Sequence, residues 1–147
     1  MGTLAANNNM IPSESVMRGS AMFTMEVEFK GGQKVHVALR QPPTPTVKHL
    51  ATKLPFHSSA HRWGDEVYFE TPFHSDIEPD ARQDMEVGDV AFWPDGDAIA
   101  IFFGPTPVSK SHMPRAYSPC NIIGKVEGDI SPLKAVHEGV PVVVKKL

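Results

Sequence analysis

Arg62 and the aromatic residues that follow it are the side chains of this sequence best suited to a binding or catalytic role. Arg62 offers hydrogen-bond donors in a planar fork that a lysine ammonium does not reproduce. Trp63, Tyr68 and Phe69 come shortly after it and supply rings that can line a groove. The structural alternative is that Arg62 pairs with Asp65 or Glu66 at the surface and that the rings cover an edge of the core.

Three histidines and an acid in the same region raise the question of a metal site. His57, His61, His74 and Glu70 are all possible ligands, but their spacing matches no known ligand motif. Cys120 is the single cysteine, so no internal disulfide can form. It has no base beside it in the sequence, which is typical of a buried, inert thiol rather than a nucleophile. We therefore predict no metal and no cofactor.

Composition indicates one ordinary globular domain. The chain has 147 residues, a net charge of −3 and 41% hydrophobic residues. Lysine and arginine form no cluster, which argues against a nucleic-acid partner, and no segment approaches the ~18 apolar residues of a membrane helix. Residues 1–22 are polar and aperiodic, so we expect a disordered or loosely held tail before one domain at 23–147. The lone cysteine suits a cytoplasmic location, and the oligomeric state stays open.

Two apolar runs predict the central hairpin of a β-rich core. Val90–Trp93 and Ala98–Phe103 flank Pro94–Asp97, a segment made entirely of turn-forming residue types. Because the runs are almost continuously apolar rather than alternating, both faces of this hairpin should be covered. Phe102 and Phe103 are adjacent, so they should face opposite sides of the sheet, with at least one of them in the core.

A second hairpin is predicted near the start of the domain. Apolar and polar residues alternate along 23–30 and again along 34–40, which indicates two half-buried strands. A three-residue loop, Gly31-Gly32-Gln33, pairs Phe29 with Val35. A two-residue loop would instead set Phe29 opposite a lysine and mix charged and apolar residues on one face. We therefore predict the three-residue loop.

Two short helices and further strands complete the predicted fold. Thr44 can cap a helix that Pro45 begins, and an apolar stripe follows at Val47, Leu50, Ala51 and Leu54. Ser131-Pro132 repeats this start, and Gly139 would close the second helix. The remaining strands are expected at Glu66–Thr71, at a short edge strand within Pro72–Asp84, at Asn121–Val126 and at Val140–Lys145. The pattern predicts a mainly β fold, a closed eight-stranded barrel capped by two short helices.

The stretch from Phe23 to Lys145 resembles a cyclophilin-like domain, in particular the compact prokaryotic branch of that group. Three segments carry the resemblance: Arg62–Phe69, Gly88–Pro107 and Asn121–Gly128. More distantly, the chain is similar to the true cyclophilins, which are peptidyl-prolyl isomerases. The resemblance implies an eight-stranded barrel capped by two helices.

Prolyl isomerisation requires few groups. Its barrier is amide resonance, about 18–20 kcal/mol, and an arginine lowers it by donating to the imide nitrogen as that atom regains its lone pair. In true cyclophilins the catalytic arginine lies in a Phe-His-Arg triplet, which Ala60-His61-Arg62 resembles. Their paired pocket phenylalanines appear here as Phe102-Phe103. The resemblance thus implies Arg62 as the candidate catalytic residue.

Other positions depart from the cyclophilin pattern. Ile101 stands where true cyclophilins have a glutamine, Phe69-Glu70-Thr71 stands where they have Gln-Gly-Gly, and Cys120 corresponds to a histidine. Two hypotheses remain. The first is a module that binds a peptide or small molecule in an apolar groove; the second is a weak or specialised prolyl isomerase that uses Arg62. The missing polar groups favour binding. The candidate ligand-binding residues are Trp63, Tyr68, Phe69, Phe102, Phe103 and Cys120.

Overall fold

The structure is a computed structural model and describes residues 24–147. The predicted tail at 1–22 lies outside the described residues, as does Phe23. Within the described part the chain forms ten strands, one α-helix and one 3-10 helix. The α-helix, α1, spans Pro45–Lys53, and the 3-10 helix spans Ser131–Ala135. The strands are β1 (Thr24–Phe29), β2 (Lys34–Leu39), β3 (Phe56–Ser59), β4 (His61–Arg62), β5 (Glu66–Glu70), β6 (Arg82–Asp84), β7 (Asp89–Trp93), β8 (Ala98–Phe102), β9 (Arg115–Glu127) and β10 (Pro141–Lys146).

The ten strands form one antiparallel sheet in the order β3-β10-β1-β2-β9-β7-β8-β5-β4, with β6 paired to β9 off this path. Its two end strands, β3 and β4, are separated in sequence by Ala60 alone. β3 pairs with β10 and β4 pairs with β5. A ladder closes only when its two end strands bond to each other, and these two do not. The fold is mainly β as predicted, but the closed eight-stranded barrel is not confirmed.

The first predicted helix is confirmed, and the second is wrong. Thr44 caps α1 by accepting a hydrogen bond from Val47 N at 3.4 Å. Ser131 opens only a five-residue 3-10 helix without a side-chain cap. Ile130, which has no polar side chain, occupies the N-cap position. Ser131 is already the first helical residue, and its hydroxyl and backbone N–H donate to the carboxylate of Asp129.

The first hairpin has the predicted faces but not the predicted register. Val27 lies opposite Val35, and Phe29 N donates to Gln33 O at 2.8 Å, so the predicted pairing of Phe29 with Val35 is wrong. The three-residue loop runs one position earlier than predicted, over residues 30–32. In the observed loop the two residues with positive φ are glycines, Gly31 at 114° and Gly32 at 101°. The predicted loop would end at Gln33 instead, and a residue with a side chain would be strained at such a φ. A shift of two residues preserves the alternation, which explains why the apolar face was predicted correctly.

The central hairpin formed by β7 and β8 is confirmed, and both of its faces are buried. One face, with residues such as Phe92 and Ile101, packs into the main core. The other face, with Ala100 and Phe102, belongs to a second cluster of buried residues. The members of this second cluster are Met85, Ala91, Ala100, Phe102, Ala116 and Cys120. The sheet therefore carries packed side chains on its outer side at this point, and the candidate site lies there.

Candidate functional site

A cavity of about 160 Å³ opens beside the second cluster. It draws its walls from the loop after β4, from β5, from the adjoining ends of the central hairpin, and from β9. We call it the aromatic cavity. Its lining residues are Trp63, Glu66, Tyr68, Trp93, Ala100, Ala116, Tyr117 and Cys120.

Small residues at paired positions leave the space that the cavity occupies. Tyr68 on β5 lies opposite Ala100 on β8, and Ala100 in turn lies opposite Ala91 on β7. Side chains directly opposite each other in a sheet share one face, so the large ring of Tyr68 borders two methyl groups. Both alanines are buried. A larger side chain at position 100 would project from β8 into the cavity and fill it.

Aromatic rings form most of the cavity wall and meet at steep angles. Tyr68 and Trp93 have ring centroids 6.3 Å apart at an interplanar angle of 79°. Tyr117 makes similar edge contacts with both tryptophans, at 6.2 Å and 78° to Trp93 and at 6.1 Å and 73° to Trp63. Edge-to-face contacts of this kind are favourable because the positive ring edge meets the negative ring face. The rings therefore hold one another in place around the space.

The turn of the central hairpin positions Trp93. Trp93 Nε1 donates to Ser118 Oγ at 2.7 Å, and Ser118 Oγ donates to Asp95 Oδ2 at 3.2 Å. Gly96 lies against the indole ring, and a Cβ at this position would overlap it. The turn that the sequence predicts from Pro94–Asp97 thus fixes one wall of the cavity.

His61 supports the opposite wall. Its ring lies 4.9 Å from the Tyr68 ring, centroid to centroid. Its two nitrogens form hydrogen bonds with Glu138 Oε2 at 2.6 Å and Glu70 Oε1 at 3.1 Å. Burial opposes the charged imidazole, but the bonds to Glu138 and Glu70 outweigh it and raise the pKa of His61. The two carboxylates therefore hold His61, and through it Tyr68, in a fixed orientation.

Glu66 is the acidic group of the cavity. It is 7% exposed, and its Oε1 has no hydrogen-bond partner. Burial raises the pKa of Glu66 to about 8, because a carboxylate loses hydration there without gaining a partner. Burial also raises the pKa of the Cys120 thiol to about 12, with smaller contributions from the negative charges of Glu66 and Asp95. The thiol is thus held in its unreactive form.

Arg62 lies outside the aromatic cavity. Its Nη1 donates to Val136 O at 2.9 Å and to Lys134 O at 3.3 Å, and its Nη2 donates to Gly64 O at 3.0 Å. The guanidinium carbon lies 5.1 Å from the centroid of the Phe103 ring. These contacts join the end of the 3-10 helix to the turn after β4. The donors that an isomerase would aim at a substrate are bonded to backbone carbonyls.

Comparisons with known proteins identify the family of the chain. Residues 23–145 match the family model described as Cyclophilin-like. The chain belongs to the cyclophilin-like family. Its structure is similar to the solution structure of the hypothetical protein AF2241 from Archaeoglobus fulgidus, with 36% sequence identity and a TM-score of 0.76. That match covers 88% of this chain and 100% of AF2241. No curated protein matches the chain.

The cyclophilin-like domain brings together some of the residues singled out from the sequence. Trp63, Tyr68 and Cys120 line the aromatic cavity. The phenylalanines lie in the core instead: Phe69 and Phe102 are 0% exposed and Phe103 is 6% exposed. Phe102 and Phe103 do face opposite sides, because Phe102 belongs to the second cluster and Phe103 to the main core. Their roles in ligand binding stay predictions.

Sequence reasoning missed five residues that line the aromatic cavity: Glu66, Trp93, Ala100, Ala116 and Tyr117. A signal for Glu66 was present. Glu66 shares a strand face with Tyr68. Because both faces of the neighbouring hairpin are predicted to be covered, the face that carries Glu66 is expected to be buried as well. Tyr117 carried no such signal, since it is 68% exposed and reaches the cavity only through the path of β9.

Two findings concern metals and membranes. Across residues 24–147, no group of three or more His, Cys, Asp and Glu side chains is placed to hold a metal ion. Two of the three histidines considered as ligands have carboxylate partners instead: His61 as described above, and His74 at 2.6 Å from Asp97 Oδ1 and 3.0 Å from Asp76 Oδ1. Over the same described range, no helix combines the length and apolar character that crossing a membrane requires.

Proposed function

We propose that this cyclophilin-like domain is a binding module that holds one small organic group in the aromatic cavity without turning it over. The group belongs to a small molecule or to an extended peptide. The observation that carries this proposal is the ring-walled cavity itself, with four aromatic side chains and a volume of about 160 Å³. Apolar cavities of about 150 Å³ accept a benzene-sized molecule. Pockets for drug-sized ligands measure about 300–1,000 Å³, so the cavity suits a single group.

The chemistry of the lining supports binding rather than turnover. Ligand pockets are mostly apolar and aromatic, with a few polar groups that orient the ligand. Here Glu66 and the tyrosine hydroxyls are those polar groups. Cys120, with a pKa of about 12, offers no thiolate near neutral pH. Arg62 is bonded to carbonyl groups elsewhere, so no described cation is aimed at a substrate in the cavity.

The tryptophans provide a direct test, because the sequence has two of them and both line the cavity. We expect their fluorescence to change saturably with at least one of three small probes: N-acetyl-prolinamide, 3,3-dimethylbutan-1-ol and choline. Ala100→Leu should abolish the response by filling the cavity. Ala51 was predicted to lie in the apolar stripe of α1 but is exposed, so Ala51→Leu should not change the response. If no probe saturates below about 10 mM, or if Ala100→Leu leaves the response intact, the proposal is wrong.

The alternative function is a weak or specialised peptidyl-prolyl isomerase. It is favoured by family membership and by the position of Arg62 over the Phe103 ring. A protease-coupled assay with an Ala-Pro peptide decides between the two. We expect the wild type to be no faster than the thermal rate. Acceleration that Arg62→Ala reduces about 10²–10³-fold, the loss typical of one oxyanion-type donor, would instead establish the isomerase.

A further inference from the structure

The aromatic cavity is biased in charge as well as in shape. Among its described lining residues, Glu66 is the one acid, and no lysine, arginine or histidine is present. Its Oε1 is buried and has no hydrogen-bond partner. Asp95 adds a second negative charge near Cys120. The potential inside the cavity therefore favours a cation once Glu66 is ionised.

We infer that the group held in the aromatic cavity is a small alkylated ammonium cation, seated against the aromatic rings with the Glu66 carboxylate as its counter-charge. This inference rests on the proposed binding function and specifies its ligand class. The shared chemistry has two sources, a free quaternary ammonium compound and a methylated lysine side chain on a peptide. In both cases the recognised part is the same compact, positively charged head.

The rings explain why the cation should be alkylated. A cation is attracted to the negative face of an aromatic ring when it lies within about 6 Å of the centroid. Because Trp93 and Tyr117 are steeply inclined to each other, at 78°, the rings present surfaces to more than one side of a rounded group. An unmodified ammonium carries three N–H donors that need acceptors. The lining offers few acceptors, so a fully methylated head, which carries no N–H donor, fits better.

Glu66 separates a cationic ligand from a neutral one. A buried carboxyl group without a partner costs free energy, and a neutral ring such as proline would leave that cost in place. A cation removes it by pairing with the ionised carboxylate. Since the pKa of Glu66 is about 8 in the empty cavity, binding near neutral pH should release a proton, and the affinity should rise with pH.

The other titratable groups around Glu66 do not reverse this expectation. Burial, then the charges of nearby glutamates, raises the pKa of Tyr68 on β5. Burial raises the pKa of Cys120 on β9 to about 12. Both groups therefore stay neutral where Glu66 titrates. Tyr117 on β9 and Asp95 in the β7–β8 turn are further titratable groups at the cavity, and β8 contributes only Ala100. His61 on β4 lies behind Tyr68 with its partners Glu70 and Glu138, and its loss of positive charge as the pH rises does not oppose cation binding.

The experiment compares choline with 3,3-dimethylbutan-1-ol, a neutral compound of the same shape, by tryptophan fluorescence. We expect choline to bind at least about tenfold more tightly near pH 8. Glu66→Gln should reduce choline affinity about tenfold or more and leave the alcohol unchanged. Glu127→Gln is the matched control, since Glu127 is an exposed acid at the far end of β9 that does not line the cavity, and it should change neither affinity.

The outcomes separate the two proposals. If the alcohol binds as tightly as choline, or if Glu66→Gln does not weaken choline, the cationic inference is wrong while the binding function stands. If neither these compounds nor N-acetyl-prolinamide binds, both proposals fail.

The pH dependence tests the role of Glu66 directly. Choline affinity should rise between about pH 6.5 and pH 8.5 in the wild type and stay flat in Glu66→Gln. A flat wild-type profile contradicts the role of Glu66. Comparing choline with Nα-acetyl-trimethyl-lysine amide then shows which source the cavity prefers.

Discussion

Two buried carboxyl oxygens among the described residues have no hydrogen-bond partner, Oε1 of Glu66 and Oε1 of Glu78. They differ in what the second oxygen does. Oε2 of Glu78 accepts hydrogen bonds from Thr46 N at 2.9 Å and Thr46 Oγ1 at 2.6 Å. Glu66 has no comparable support, and burial alone accounts for its raised pKa. A group that destabilises the free protein in this way is typical of functional sites, where strain serves binding.

The raised pKa of Glu66 predicts a loss of stability as the pH rises. Between its ordinary value of 4.5 and its folded value of about 8, the folded state binds one more proton than the unfolded chain. Stability contributed by the protonated group is therefore lost as the pH rises through this range. We expect Glu66→Gln to gain melting temperature relative to the wild type from about pH 5 to pH 9, with a free-energy difference of a few kcal/mol.

Thermal unfolding of the wild type and Glu66→Gln across that pH range measures this effect. His61 and His74 also have raised pKa values, but they are common to both proteins and cancel in the difference. Parallel curves of melting temperature against pH would show that Glu66 is solvated or paired in solution. The difference curve thus reports on Glu66 itself.

At the scale of the elements, one buried side chain ties three segments together. Asn121 on β9 donates from Nδ2 to Thr46 Oγ1 at 3.0 Å and to Asp76 O at 2.9 Å, and its Oδ1 accepts from Glu78 N at 2.8 Å. Thr46 lies in the first turn of α1, and the other two partners lie in the loop between β5 and β6. The amide therefore anchors a helix and an irregular loop to the long strand that also lines the cavity.

Asn121→Ala should destabilise the domain by about 2–3 kcal/mol, because it leaves buried polar groups without partners. Chemical denaturation followed by circular dichroism measures the loss. The matched control is Gln83→Ala, which likewise removes an amide that donates two hydrogen bonds, to Ala116 O and Tyr117 O, and accepts one, from Arg115 Nη2, but from a partly exposed position. Water can replace those bonds, so the control should cost less than about 1 kcal/mol. Equal losses would show that the Asn121 amide is replaceable.

At the scale of the whole molecule, the family match and the described structure cover nearly the same residues, 23–145 and 24–147. Residues 1–22 contain no aromatic side chain, and their apolar residues follow neither a helix nor a strand period, so we expect them to bury too little surface to offset the entropy of ordering them. The prediction that they contribute little to folding stays open.

Deleting residues 1–20 tests that prediction. We expect the melting temperature to stay within about 2 °C of the full chain, since the removed residues include no aromatic side chain and no periodic apolar face. Differential scanning calorimetry of the two proteins at matched concentration is the measurement. A fall of about 10 °C would show that the segment packs against the domain.

The sequence by itself determined the mainly β class, the family, the capped helix α1 and the turn of the central hairpin. These features depend on residues that are neighbours in the chain, so period, caps and turn-forming residues reveal them. The same local rules predicted the faces of the first hairpin correctly. They missed its register by two residues, because a slip of two changes no face and only the loop geometry of Gly31 and Gly32 decides it.

Only the tertiary structure decided the candidate site. The aromatic cavity joins Trp63, Glu66 and Tyr68 to Trp93 and Tyr117, which come from strands far apart in the sequence. Alternation along a strand shows which residues share a face, but it does not show what covers that face. Within its own strand, Glu66 is an ordinary outward-facing acid, and only the tertiary structure shows that β9 lies over it. Its burial, its missing partner and the space beside it follow from that crossing.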